Sequence, residues 1–253
     1  MRHYALERFL ERVSLSRYKD NLILKGGMLV AAIVGLDSRS TMDMDATCKG
    51  YPLTVESAMA VVSEIAAMDI GDGMAFALAD VSEIMEDSEY GGVRVSLISQ
   101  LEKTKTNIKI DFSTGDTITP SEVRFSYKLM PEERFLDIWT HSIETVLAEK
   151  LQTILARSVY NSRARDYYDI YALLEVNDVS HTSFLAEAFE NTCTKRNSPG
   201  LLDIAEDTLN AVEQSVPMRE QWERYRASFD YAEGVSWSSV VSSARTLVNL
   251  IAN

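Results

Sequence analysis

The spacing of apolar residues predicts most of the elements of this chain. Leu6, Phe9, Leu10 and Val13 recur at helical intervals and predict an amphipathic first helix. A short apolar stretch at 21–25 reads as strand-like and runs into Gly26-Gly27. The run from Met28 to Val34 is apolar on all sides, which predicts a buried helix with Gly35 at its C-terminal end. After a polar turn at 37–41, residues 42–46 alternate apolar and acidic. Strand periodicity puts Met42 and Met44 on one face and Asp43 and Asp45 on the other. A helix is expected over 55–67 and strands over 75–84, 91–101 and 107–113, with a polar turn at 103–106 between the last two. In the last of these, Ile108, Ile110 and Phe112 share one face and Lys109, Asp111 and Ser113 the other. Short strands at 124–129 and 135–139 follow.

The pattern changes near residue 140. Ile143, Val146, Leu147, Leu151, Ile154 and Leu155 keep helical spacing, as do Tyr167, Ile170, Tyr171 and Leu174. Further helices are expected over 182–193, 201–212 and 237–251. The expected architecture is α+β, with a mixed-sheet lobe over residues 1–140 and a helical lobe over 141–253 that completes a cleft. No internal repeat or low-complexity tract interrupts it.

Composition narrows the function more by exclusion than by indication. Hydrophobic residues at 46% and charged residues at 25% are ordinary for a globular chain. With Gly 11 and Pro 5, long disordered linkers are not expected. A net charge of −13 and a pI of about 4.7 exclude the global basic footprint of a strong nucleic-acid binder. Any RNA contact would need a local basic patch or a metal-neutralised cleft. Cys48 and Cys193 are far apart, in no metal-type or CxxC spacing, and read as reduced, partly buried thiols. His3, His141 and His181 are scattered, so no histidine zinc site is expected. The first residues lack the apolar core of a signal peptide, and no segment has the length of a membrane span. The expected location is the cytoplasm, with no membrane contact.

The informative chemistry is acidic. Two carboxylates one residue apart on a strand, Asp43 and Asp45, project from one face and repel unless a cation intervenes. A hard divalent ion such as Mg²⁺ accepts carboxylate oxygens readily. Asp111 offers a third strand-borne carboxylate, and three such groups suit in-line nucleotidyl transfer. The plain alternative is a pair of solvated turn or strand acids. Gly26-Gly27 ends a strand-like run and opens an apolar helix, which exposes backbone N–H groups to phosphate oxygens. An ordinary tight turn would leave the same trace. Arg39 could clamp a phosphate or brace the two aspartates.

These segments together resemble a known family. Leu24-Lys-Gly-Gly-Met28 followed by Gly35-Leu-Asp-Ser-Arg-Ser-Thr-Met-Asp-Met-Asp45 is similar to the AbiEii/AbiGii toxins, nucleotidyltransferase-like proteins of bacterial abortive-infection and toxin–antitoxin systems. Glu144-Thr-Val-Leu-Ala-Glu-Lys-Leu151, Arg157 and Arg163-Ala-Arg-Asp-Tyr-Tyr-Asp-Ile170 look like the family's helical motif, and Gln221-Trp-Glu-Arg-Tyr225 fits its C-terminal part. The resemblance implies a nucleotidyltransferase-fold lobe followed by a helical lobe. It implies that Asp43 and Asp45 bind Mg²⁺ or Mn²⁺ and that Gly26 and Gly27 form the phosphate loop. Many nucleotidyltransferases have Gly-Ser there, so this chain lacks a hydroxyl contact. Lys150 matches a lysine that meets the nucleoside triphosphate, and Asp166 an acid beside it. Arg165-Asp166 stands where Lys-Asp is more frequent. From the residues alone, Lys150 could simply reach solvent past Leu147 and Leu151. Asp166 and Asp169 could pair with Arg163 and Arg165. Tyr167 and Tyr168 read as core packing.

The expected activity is transfer of a nucleotide from an NTP, with Asp43, Asp45 and Asp111 at the metal and Lys150 and Asp166 near the triphosphate. The resemblance implies an RNA acceptor, a tRNA 3′ end, and a cognate antitoxin encoded nearby. A protein hydroxyl as acceptor, phosphotransfer on the same fold, and a non-catalytic nucleotide-binding module are the competing readings.

Overall fold

A computed structural model describes residues 1–35, 41–84, 91–130, 132–179 and 183–252. The chain forms two compact units. The first comprises Met1–Ala32, Ser40–Asp116 and Glu122–His141, and the second Ile33–Arg39, Thr117–Ser121 and Ser142–Asn253. The class is α+β, with a mixed seven-stranded sheet followed by a helical region.

In the first unit the elements run α1 (Arg2–Leu15), β1 (Leu22–Lys25), α2 (Gly26–Val34, its last two residues counted with the second unit), β2 (Met44–Cys48), α3 (Val55–Ala66), β3 (Met74–Ile84), β4 (Gly92–Leu101), β5 (Thr104–Thr114), β6 (Val123–Lys128) and β7 (Phe135–Thr140). The strand order is β3-β4-β5-β2-β1-β7-β6. β2 runs parallel to β5 and β1 parallel to β7, while the other pairs are antiparallel. Alternation divides the central strands as expected. Val93, Val95 and Leu97 of β4 and Ile108, Ile110 and Phe112 of β5 are buried, with Met44 and Ala46 of β2 beside them. α1 lies against β5 and β7 and against α3, which covers β3 and β4. Phe9 of α1 meets Phe76 of β3 edge to face.

α1 departs from the amphipathic reading, because its charged residues are buried along with its apolar ones. Arg12 forks onto Asp72 at 2.7 and 2.8 Å and also donates to the carbonyls of Arg8, Met68 and Met74. Arg8 bridges Glu11 and Glu132, Arg134 donates to Glu11, and the carboxylate of Glu7 accepts from the backbone N–H of Met130. Burying charge is costly unless partners offset it, and here most partners come from distant segments, although Arg8 Nε and Nη2 have no hydrogen-bond partner among the described residues.

In the second unit the helices are α4 (Ile143–Arg157), α5 (Ala164–Val176), α6 (Leu185–Lys195), α7 (Ala205–Gln214), α8 (Val216–Ser228) and α9 (Trp237–Ala252). The Ser142 hydroxyl caps α4 by accepting from the Thr145 N–H. Tyr167 and Tyr168 are core, the latter among the rings of Tyr171, Tyr225 and Tyr231. α8 was not anticipated as a separate helix. Only Met218 and Trp222 of it are buried, too few to leave a helical period in the sequence. Both cysteines are buried free thiols, and burial pushes Cys48 up to about 11. No described helix is long and apolar enough to cross a membrane.

Candidate functional site

Asp45 and Asp111 lie on the sheet face opposite the apolar core. β2 begins at Met44, two residues later than the alternation predicts. Asp43 therefore sits in the bend before the strand, and Met42 is exposed rather than sharing the buried face of Met44. Asp45 pairs in register with Asp111 of β5 on one side and with Lys25 of β1 on the other. Asp111 in turn faces Arg94 of β4. Four adjacent strands thus carry a row Arg94, Asp111, Asp45, Lys25, with cations outside and anions inside.

Sequence reasoning missed Arg94. Its Nε donates to Asp111 Oδ1 at 2.7 Å and its Nη2 to Asp111 Oδ2 at 2.5 Å. Asp111 is buried, and the Arg94 side chain is 36% exposed. The bonds to Asp111 raise the guanidinium pKa further above its ordinary value, against partial burial, and Asp43 and Asp45 add to the rise. Arg94 therefore stands in the field of all three carboxylates.

Gly26 fixes the other flank. It opens α2 with φ +66°, and a Cβ built on it would lie 2.1 Å from Asp45 Oδ2. The Asp45 carboxylate thus packs directly on the first residue of a helix, where backbone N–H groups and the helix dipole favour negative charge. Gly27 is the second residue of the same helix. Arg39 lies outside the described residues.

Beyond Asp45 and Asp111 the same face continues into a second polar cluster. Asp116 Oδ2 accepts from Lys25 Nζ at 2.9 Å and from the hydroxyls of Thr47 and Ser113 at 2.5 Å each. Thr47 spends its one proton on Asp116, so His141 Nε2, 2.8 Å away, is the donor to the Thr47 oxygen. Lys25, Asp116 and His141 were not read as site residues. Only the cross-strand register brings them together.

In the second unit Lys150 of α4 meets two carboxylates of α5, Asp169 Oδ2 at 2.5 Å and Asp166 Oδ1 at 3.4 Å. The resemblance puts Asp166 beside the lysine, and the nearer partner is Asp169, which is fully buried. Asp166 Oδ2 is buried with no hydrogen-bond partner among the described residues. Arg163 and Arg165 are exposed. Arg157 has its pKa lowered, first by burial and then by the nearby charge of Arg163, with Arg196 adding to it. The end of α4 and the start of α5 are thus locally basic in an acidic protein. Lys150→Ala is expected to lower stability by about 2 kcal/mol, because it removes the ammonium facing a buried carboxylate. Adding Asp169→Asn should restore part of the loss in urea denaturation. Additive losses would show that the pair does not couple.

Donor chemistry and geometry give separate answers on metal. Asp43 and Asp45 are half-buried oxygen donors of the kind a hard divalent ion takes. Both oxygens of Asp111 are engaged by Arg94. Among the described residues no three acidic, histidine or cysteine side chains form a group that could hold a metal ion. The residues fit an ion on the Asp43–Asp45 pair, with Asp111 held beside it.

Comparison with known proteins shows the family and the fold. Residues 8–243 match the family described as Nucleotidyl transferase AbiEii toxin, Type IV TA system. A Helicobacter pylori structure described as a candidate nucleotidyltransferase is 15% identical, with a TM-score of 0.51 over 98% of this chain and 93% of that one. The Helicobacter pylori protein JHP933 is 16% identical, with a TM-score of 0.52 over 99% and 92%. At such identities the likeness is one of fold. No curated protein sequence matches the chain.

Proposed function

The chain belongs to the AbiEii nucleotidyl transferase toxin family, and from that premise we propose that it transfers a nucleotide from an NTP to the 3′ end of an RNA, with tRNA as the acceptor. The observation that carries the reading is the packing of the Asp45 carboxylate on Gly26, beside Asp111 in strand register. It sets carboxylate oxygens beside a helix N-terminus, which supports a reading in which groups suited to a hard metal ion and to phosphate adjoin.

In this reading Asp43 and Asp45 hold Mg²⁺ or Mn²⁺. A divalent ion bound there neutralises phosphate charge and favours deprotonation of the attacking hydroxyl. The backbone N–H groups of Gly26 and Gly27 orient the phosphates. Gly26, having no side chain, lets the Asp45 carboxylate lie against this helix start. Lys150 steadies the triphosphate and the leaving pyrophosphate, in the role the family resemblance gives it. Asp166 and Asp169 hold the ammonium in place, and the Asp166 oxygen with no hydrogen-bond partner among the described residues supports a functional role for that residue. Arg39 keeps its proposed contact with phosphate or with the aspartates. The type IV description carries with it an antitoxin as genetic partner.

The −13 net charge opposes RNA binding in general, so recognition has to be local. Arg157, Arg163 and Arg165 supply the basic residues. Arg163→Glu is expected to lower RNA modification about tenfold, equivalent to one lost phosphate contact near 1.4 kcal/mol, with NTP affinity little changed. Loss of both together would remove Arg163 from the acceptor site. The direct test supplies each labelled NTP with purified tRNA and, separately, with cell protein. Label on the tRNA 3′ end is the expected result. Label on protein alone would change the acceptor and keep the chemistry. A bare phosphate adduct would make the protein a phosphotransferase, and no transfer at all would make it a binding module.

A further inference from the structure

We propose that Arg94 is a positioning residue that withholds Asp111 from metal binding, so that the site takes one divalent ion on Asp43 and Asp45. The proposal rests on the reading that this aspartate pair holds a cation.

Three carboxylates in one neighbourhood, two on strands and Asp43 in the bend before β2, invite assignment of two metal ions. The geometry points to a different division of labour. Arg94 and Asp111 are register partners on adjacent antiparallel strands, so the backbone itself fixes their approach. The contact is bidentate, with one nitrogen on each carboxylate oxygen at 2.7 and 2.5 Å. A planar guanidinium in this fork satisfies both oxygens at once, which a lysine could not do. A metal ion on Asp111 would have to displace a matched, partly buried partner and would stand a few ångströms from the released positive charge. Asp43 and Asp45 act on Arg94 through their charge, which adds to the rise of its pKa. Arg94 thus does for Asp111 what a second ion would otherwise do.

The guanidinium also constrains orientation. Asp111 lies beside Asp45 in register, and its charge, left unpaired, would repel the neighbouring carboxylate. Pinned to Arg94, it turns its oxygens toward β4 and leaves Asp45 facing Gly26.

The test is Mn²⁺ titration of the full chain followed by electron paramagnetic resonance, without nucleotide. Wild-type protein should bind one ion, and Asp43→Asn should weaken it at least about tenfold. Asp111→Asn should keep the single ion within about threefold of the wild-type affinity. Arg94→Gln should gain a second ion or bind the first at least about tenfold tighter. Arg94→Gln combined with Asp111→Asn should lose that gain, and Arg94→Lys should retain a single ion. Loss of Mn²⁺ in Asp111→Asn as severe as in Asp43→Asn overturns the role of Arg94 while leaving the metal reading intact. An unchanged count and affinity in Arg94→Gln does the same. Failure of the wild-type chain to bind Mn²⁺ overturns both. Should Arg94→Gln not fold, Asp111→Asn carries the decision.

Discussion

Asp43→Asn and Asp45→Asn should each abolish nucleotide transfer and leave the chain folded. The expected fall in kcat/KM is about three decades or more, because a lost metal contact removes several kcal/mol of charge stabilisation at the reacting phosphate. Asn keeps the shape of Asp, so the packing of residue 45 on Gly26 survives the change. Both carboxylates are only half-buried, and neutralising one should move the melting temperature by no more than about 3 °C in metal-free buffer. Transfer of labelled nucleotide, measured beside a thermal melt and a growth-arrest assay, decides the point. Wild-type transfer by either variant in the presence of Mg²⁺ would end the assignment. A melting point lowered by ten degrees would instead give these residues a structural role.

Gly26→Ala should be as damaging to activity, and unlike the aspartate changes it should also destabilise the fold. Two penalties coincide at this residue. A φ of +66° is strained for any residue with a side chain, and the new methyl group would meet Asp45 Oδ2 at 2.1 Å, Cγ at 2.7 Å and Cβ at 2.9 Å. Asp45 is held by its strand, so relief requires moving α2 or the carboxylate. A loss of about 3–5 kcal/mol is expected, together with transfer too slow to detect. Gly234→Ala is the control. It has a similar φ of +82° but open space around the added carbon, so it bears the strain alone. Equal stability losses in the two variants would show that the Asp45 contact is unimportant.

The fold class was legible in the sequence because the two halves carry different periods. Alternation over 107–113 and helical spacing after residue 140 each reflect burial on one face, which is a local property. Register is not local, and there the reading fell short. The turn between β4 and β5 was expected at 103–106 and lies at residues 102–103. Glu102 adopts φ +51° there, a conformation usually signalled by Gly or Asn. With the turn displaced, nothing in the sequence sets Arg94 opposite Asp111. With it correctly placed, counting outward from the turn pairs them. Lys150 and Asp169 illustrate the same difficulty between helices. Spacing says which face a residue occupies, but the packing of α4 on α5 decides which carboxylate comes nearest the ammonium. Arg39, outside the described residues, keeps only its sequence-based role.

The buried charges of α1 bear on the order in which the protein is made. α1 leaves the ribosome well before β7, yet Glu7, Arg8 and Glu11 find their partners at Met130, Glu132 and Arg134. Until that segment is synthesised, the helix has charged groups and no place to bury them. Contacts spanning some 120 residues form slowly, since a long loop must close before any of them contributes. β7, which pairs with β1 inside the sheet, also arrives only at Phe135–Thr140. The charged row on β1, β2, β5 and β4 is complete in sequence by Asp111, but the body that supports it is not. A nascent chain halted before residue 134 thus carries Asp43, Asp45 and Asp111 on a scaffold that has not closed.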